Sequence, residues 1–296
     1  MSGPSPSLAL GPIRLTVADL PRAAEFYERA IGLRPLGEPA HEDGAARLGV
    51  LGGPPLVELV PDAGAPPRAR RSSGLFHLAL LVPDRPALAQ ALLRALAAGG
   101  RLDGASDHLV SEALYLSDPE GNGIELYRDR PREEWRRQAS GELAMATLPL
   151  DLDDLLAALP GEHGTPATAA GTAMPAGTTL GHVHLQVSDL GEAEAFYAGA
   201  LGFDVMVRGY PGALFVAADG YHHHLGLNTW SSGGGPPADP AARGLRDFAI
   251  RYASAAARDE VAQRVADAGF DVREDGADRI ATDPFGIAVR LAAPDG

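Results

Sequence analysis

Residues 11–33 read GPIRLTVADLPRAAEFYERAIGL, and residues 181–203 read GHVHLQVSDLGEAEAFYAGALGF. Ten of these 23 positions are identical at a constant offset of 170, too many for chance, so the chain carries an internal repeat. Both copies share one grammar. An alternating apolar strand ends in Asp-Leu, the Asp caps a helix, and Phe-Tyr lies on the apolar face of that helix. Two weaker copies complete the set. Residues 74–128 open with GLFHLALLVPD and end in DPEGNGIELYRD; residues 244–293 open with GLRDFAIRYAS and end in DPFGIAVRLAA. Each copy reads as strand, helix, then three strands, with hairpin turns at Asp118-Pro119-Glu120-Gly121 and Asp283-Pro284-Phe285-Gly286.

The expected architecture is therefore α+β. Four βαβββ modules span 8–62, 74–128, 180–230 and 244–293, grouped as an N-terminal half (1–128) and a C-terminal half (180–296). Residues 129–179 form the linker: a charged stretch, a short helix in LDLDDLLAAL, and a Gly/Ala/Thr/Pro-rich run that reads as a flexible connection. One four-stranded module cannot cover both faces of its sheet, so the modules must pair.

Composition removes several function classes. The chain has 296 residues, 45% of them hydrophobic, and no cysteine, so disulfides, thiolate metal sites and a Cys nucleophile are excluded. The net charge of −14 disfavours nucleic acid as a partner. No run of 18 apolar residues and no signal peptide is visible, so a cytoplasmic enzyme without membrane attachment is expected, as a homo-oligomer. Any metal must be held by His and carboxylate.

Counted from the glycine that opens each strand, His77 (GLFHLALLV) and His184 (GHVHLQVSD) fall at the same place. Glu125 stands in the last strand of module two between Ile124 and Leu126, where an unpaired carboxylate is costly to bury. Two imidazoles and one carboxylate from different strands suit a divalent first-row metal with open positions, so His77, His184 and Glu125 are the expected ligands. Elsewhere the matching positions carry other chemistry: Arg14 and Asp247 in the first strands, Glu58, Gly226 and Arg290 in the last. Ligands confined to modules two and three require pairing of two with three and one with four. Arg14, Glu58, Asp247 and Arg290 should then form a metal-free ion cluster. His182, two residues before His184 and on the same face, reads as a residue behind the ligands or at the rim rather than as a ligand, and His41 and His163 read as solvated loop residues. Phe76 and Trp230 read as core packing, with a pocket wall as the alternative.

The segment HLVSEALYLSDPEGNGIE, residues 108–125, resembles the extradiol ring-cleavage signature: His108, Leu114-Tyr115, the Asp118-Pro119-Glu120-Gly121 turn and Glu125, with Ser106 departing from the usual pattern. The four repeats resemble the vicinal-oxygen-chelate (glyoxalase/extradiol dioxygenase) superfamily, and within it the bacterial two-half catechol 2,3-dioxygenases. The resemblance implies two open barrels, Fe(II) with Mn(II) as a possible replacement, and cleavage of a catechol by O2. It gives His108 a hydrogen bond to substrate or oxygen, Tyr115 a bond to a substrate hydroxyl, and His223 the acid–base role. Strand alternation would put His222 and His224 on one face and His223 on the other, which keeps His224 a candidate beside it. A glyoxalase-type isomerase is the alternative enzyme, weakened by Gly226 where a second glutamate is usual. A non-catalytic binding protein of the same superfamily is the other alternative, weakened by the intact triad.

Overall fold

The computed structural model describes residues 8–37, 44–160 and 165–294; His41 and His163 lie outside them. All four modules are present in the expected order. Their opening strands are Leu8–Val17, Gly74–Leu81, Thr179–Gln186 and Gly244–Tyr252, and their closing strands Pro55–Pro61, Gly123–Asp129, Leu225–Asn228 and Ala288–Ala292. Among the described residues, no helix is long and apolar enough to cross a membrane.

The helix starts follow from the capping residues. Asp19, Asp84, Asp189 and Ser254 each accept a bond from the backbone N–H three residues on, at 3.0, 2.8, 2.8 and 3.2 Å. In modules one and three the helix widens into a π turn, Tyr27–Ile31 and Ala195–Ala200. That turn seats a buried tyrosine. Tyr27 donates to Asp118 at 3.2 Å and Tyr197 to Asp283 at 2.9 Å. Each aspartate also accepts two backbone N–H bonds of its own turn. One tyrosine thus ties module one to module two, the other module three to module four.

The strands form two sheets. The eight-stranded one draws on modules one and four, and the nine-stranded one on modules two and three. In the first, Leu8–Val17 runs antiparallel to Gly244–Tyr252 with Arg14 opposite Asp247. The pairing inferred from the ligand positions is the one observed. By backbone contacts the chain groups into two compact units. One contains modules three and four with Ala65–Phe76 and the first strand up to Thr16; the other contains Val17–Gly64 and His77–Leu180.

The linker corrects one expectation. Leu148–Pro149 adds a short strand to the nine-stranded sheet, pairing with Ser106–Asp107. The short helix is Leu152–Leu156, and Arg85 holds its Asp154 at 2.7 Å. Within the Gly/Ala/Thr/Pro run, Pro166–Ala169 is helical and the Met174 N–H donates to Gly32 O at 2.8 Å. Buried Leu155, Ala169 and Met174 anchor a segment whose composition alone suggested a free tether.

Candidate metal centre

In the parallel ladder of module two, His77 lies opposite Gly123 and Ala79 opposite Glu125. His77 Nε2 and Glu125 Oε2 are 2.9 Å apart, and both residues are buried. Glu125 sits between Ile124 and Leu126, both fully buried, so its charge needs the imidazole or a cation there. His77, Glu125 and His182 each offer a ligand atom within 4.8 Å of the others. The group contains His182 where the sequence pointed to His184.

The helix caps explain the difference. His77 stands seven residues before its cap, Asp84; His182 stands seven before Asp189, and His184 only five. Module three's opening strand begins at Thr179, two residues ahead of the glycine used for the sequence alignment. A shift of two residues keeps a side chain on the same face, so period-two patterning cannot detect it. His184 is instead opposite Gly226. A Cβ built on Gly226 would meet the His184 ring at 2.9 to 3.0 Å. The imidazole occupies the space that a second glutamate would need. Around it pack Phe76 (5.0 Å), Trp230 (5.5 Å) and Phe215 (5.8 Å).

His222 and His223 precede the strand Leu225–Asn228 rather than lying in it. Alternation therefore does not separate them. Both are buried, and their Nδ1 atoms are 2.8 Å apart, which requires one of the two nitrogens to carry the proton. The ring of His223 lies 4.2 Å from that of His182 and 4.9 Å from Phe215. His224 is put to another use. Its Nδ1 accepts from Ala218 N at 3.1 Å, and its backbone bonds Val216 and Val183. It closes the turn that delivers its two neighbours.

His108 and Tyr115 form a defined pair. His108 Nδ1 is 2.7 Å from the Ala146 carbonyl, and Nε2 is 2.6 Å from Tyr115 Oη. A carbonyl only accepts, so Nδ1 carries the hydrogen and the neutral ring's Nε2 is an acceptor. Tyr115 then donates to His108. The partner that fixes this tautomer comes from the linker, 38 residues away, and no local motif announces it. Tyr115 also lies directly across the ladder from Glu125, with its ring 5.7 Å from that of His77.

The corresponding positions of modules one and four hold ions. Asp247, seven residues before its cap Ser254, pairs with Arg14 at 3.2 Å and Arg290 at 3.3 Å. Arg290 also reaches Asp278 at 3.1 Å and Asp275 at 2.7 Å, two partners that the sequence did not suggest. Burial pulls the Arg290 pKa down, but these carboxylates outweigh it and raise the value. Glu58 pairs with Arg47 across the strands at 3.5 Å.

Donor chemistry fits a divalent metal: two imidazoles and a carboxylate, all buried, in a chain without thiols. The model of the glyoxalase/bleomycin resistance protein/dioxygenase superfamily matches residues 9–126 and 179–291. A catechol-2,3-dioxygenase from Bacillus subtilis (strain 168) is 41% identical over 272 residues, 90% of either chain. Solved structures share the fold. A putative dioxygenase from Bacillus subtilis aligns with a TM-score of 0.67 at 15% identity, over 99% of this chain and 87% of the other. Glyoxalase I from Zea mays aligns with a TM-score of 0.59 at 19% identity, over 97% and 92%. The doubled sequence pattern, the two sheets of two modules each and these matches agree: the chain belongs to the glyoxalase/bleomycin resistance protein/dioxygenase superfamily.

Proposed function

We propose that the chain is an extradiol dioxygenase that opens a catechol, or a substituted catechol, with O2 at a mononuclear Fe(II) site, Mn(II) being the alternative occupant. The observation that carries this reading is the buried group His77, Glu125 and His182, with the His108–Tyr115 pair one ladder position away. Relatedness to the Bacillus subtilis enzyme supports it. In the reaction a ring C–C bond beside the diol breaks and both atoms of O2 enter the product. The metal would supply redox chemistry and open coordination positions.

The chain's own residues would handle the protons. Tyr115 Oη can accept a hydrogen bond from a substrate hydroxyl while its own proton moves to His108 Nε2. The Ala146 carbonyl stabilises the imidazolium that results. His223, oriented through Nδ1 by His222, would exchange a proton with the opening ring through Nε2. A glyoxalase-type reaction is disfavoured by the His184 ring packed over Gly226.

The test is direct. Protein reconstituted with Fe(II) is mixed with catechol under air, and the yellow ring-opened product is followed with 18O2 as the oxygen source. Two labelled oxygen atoms per product are expected. Absence of any ring-opened product from a panel of catechols would end this reading.

A further inference from the structure

Leu109 adopts a φ of +71°. A bulky L side chain keeps that left-handed conformation only when its surroundings hold it there. The Leu109 side chain is exposed, so its own packing does not offset the strain. The residue directly follows His108, in the turn that joins the strands Gly104–Asp107 and Ser111–Ser117. Charged groups hold this turn. Asp107 Oδ1 accepts from Leu109 N at 2.8 Å, and Oδ2 accepts from Arg130 Nη2 at 2.8 Å. Across the ladder, Asp107 faces Glu112. Two adjacent carboxylates repel unless a cation joins them, and Arg130 Nη2 also donates to Glu112 Oε1 at 3.1 Å. Glu112 is buried, and Arg85 Nε and Arg128 Nε each bond its Oε2 at 2.9 Å. Burial raises the Glu112 pKa, but these guanidinium groups outweigh it and hold the carboxyl below its ordinary value. Glu112 is thus a fixed anion, and Arg130 hangs from it. Arg130 grips the turn twice, through Asp107 and through its own backbone N–H, which donates to Val110 O at 2.8 Å. All these groups lie in one compact unit with His108 and Tyr115.

We infer that Asp107 is a positioning residue: anchored by Arg130, it holds the strained turn so that His108 keeps Nδ1 on the Ala146 carbonyl and Nε2 on Tyr115 Oη. Asp107 acts through His108. When the turn relaxes, the ring leaves both partners and the Tyr115 proton loses its acceptor. This rests on the acid–base role proposed for the His108–Tyr115 pair. Glycine adopts positive φ without strain, so Leu109→Gly should make the clamp unnecessary.

The experiment compares wild type, Asp107→Ala, Leu109→Gly and the double variant. In the Fe(II)-loaded enzyme with catechol, Asp107→Ala should lower kcat about tenfold to a hundredfold with KM nearly unchanged, the cost of a displaced proton-transfer group. Leu109→Gly alone should stay close to wild type, and Asp107→Ala/Leu109→Gly should recover most of the lost kcat. The second readout needs no turnover. The 15N-histidine NMR spectrum of the full chain supplied with diamagnetic Zn(II) is recorded at mildly alkaline pH, where imidazoles are neutral. His108 is identified by its loss in His108→Phe. Wild type should show the Nδ1–H tautomer alone, Asp107→Ala a mixture of tautomers, and the double variant Nδ1–H again. Arg130→Gln leaves Glu112 its bonds to Arg85 and Arg128, and it should show the same changes to a smaller degree. It decides the question if Asp107→Ala does not fold. A wild-type tautomer in both Asp107→Ala and Arg130→Gln, or a mixture that Leu109→Gly does not correct, would overturn the inference. If wild type cleaves no catechol, ring cleavage fails and the tautomer series alone decides the clamp.

Discussion

Two regions of the molecule share one backbone plan and carry opposite chemistry. Measured from the helix caps, His77 of module two corresponds to Asp247 of module four, and His182 of module three to Pro12 of module one. Through ladder register, Glu125 opposite Ala79 corresponds to Arg290 opposite Ala249. Where one sheet presents imidazoles and a carboxylate, the other presents a carboxylate, a guanidinium and a proline that has no side-chain donor. The lesson is that the fold supplies positions and the residue types decide between metal and ion pair. Arg290 repels a cation and needs anions; Glu125 and His77 invite one.

The largest effect expected from breaking this comparison is loss of the metal. His77→Ala, His182→Ala and Glu125→Ala should each bring iron content and turnover to background, measured by metal analysis on purified protein. His184→Ala should keep about one iron per chain. A variant that loses its iron at 184 and keeps it at 182 would return the ligand role to His184. Next come the proton-transfer groups. Tyr115→Phe and His223→Phe should retain metal but lower kcat by roughly 10²–10⁴; normal kcat in both would remove these roles.

The ion cluster gives a smaller effect and a different readout. Arg290→Ala leaves Asp247, only 4% exposed, without one of its cations. The expected loss is about 3–5 kcal/mol in denaturant unfolding, with activity per folded molecule unchanged. An unfolding midpoint equal to wild type would show the cluster to be solvated. The smallest effect depends on pH. Burial pushes the Asp283 carboxyl up to about 6 against the hydrogen bonds it accepts from Ile287, Tyr197 and Phe285. The folded state then binds more protons than the unfolded one between about pH 4 and pH 6. Stability is fullest below that window and falls as pH rises through it, by roughly 2–3 kcal/mol. Asp283→Asn should flatten this slope. A slope that persists in the variant assigns it elsewhere.

How much of this could be read beforehand follows the physics of each signal. The module count was legible because strand alternation, capping Asp and turn Asp-Pro recur in order. His77 and Glu125 were legible because a polar side chain in a run of apolar strand residues stands out. That His182, and not His184, joins their compact group was not, since both point the same way and only the distance to Asp189 separates them. That distance was in the sequence: VPD at 82–84 and VSD at 187–189 align His182 with His77. His222 and His223 defeated the alternation rule by lying outside a strand. The tautomer of His108 depends on the backbone carbonyl of Ala146, which no side-chain pattern encodes. The linker's packing depends on isolated residues such as Leu155 and Met174, too few to raise a periodic signal.

The caps also mark an equal spacing within each half of the chain. Asp19 to Asp84 spans 65 positions and Asp189 to Ser254 spans 65 again, with the longer linker interval between. Modules one and three are one type, two and four the other, and each sheet combines one of each. A half-length ancestor would meet that rule only by pairing with a copy of itself, which would create two equivalent sites related by a dyad. Joining the copies into one polypeptide releases the two sites from having to stay identical. One could keep its two imidazoles and its carboxylate while the other came to hold Asp247, Pro12 and Arg290 in their places, a division of labour that a symmetric dimer of identical chains cannot reach.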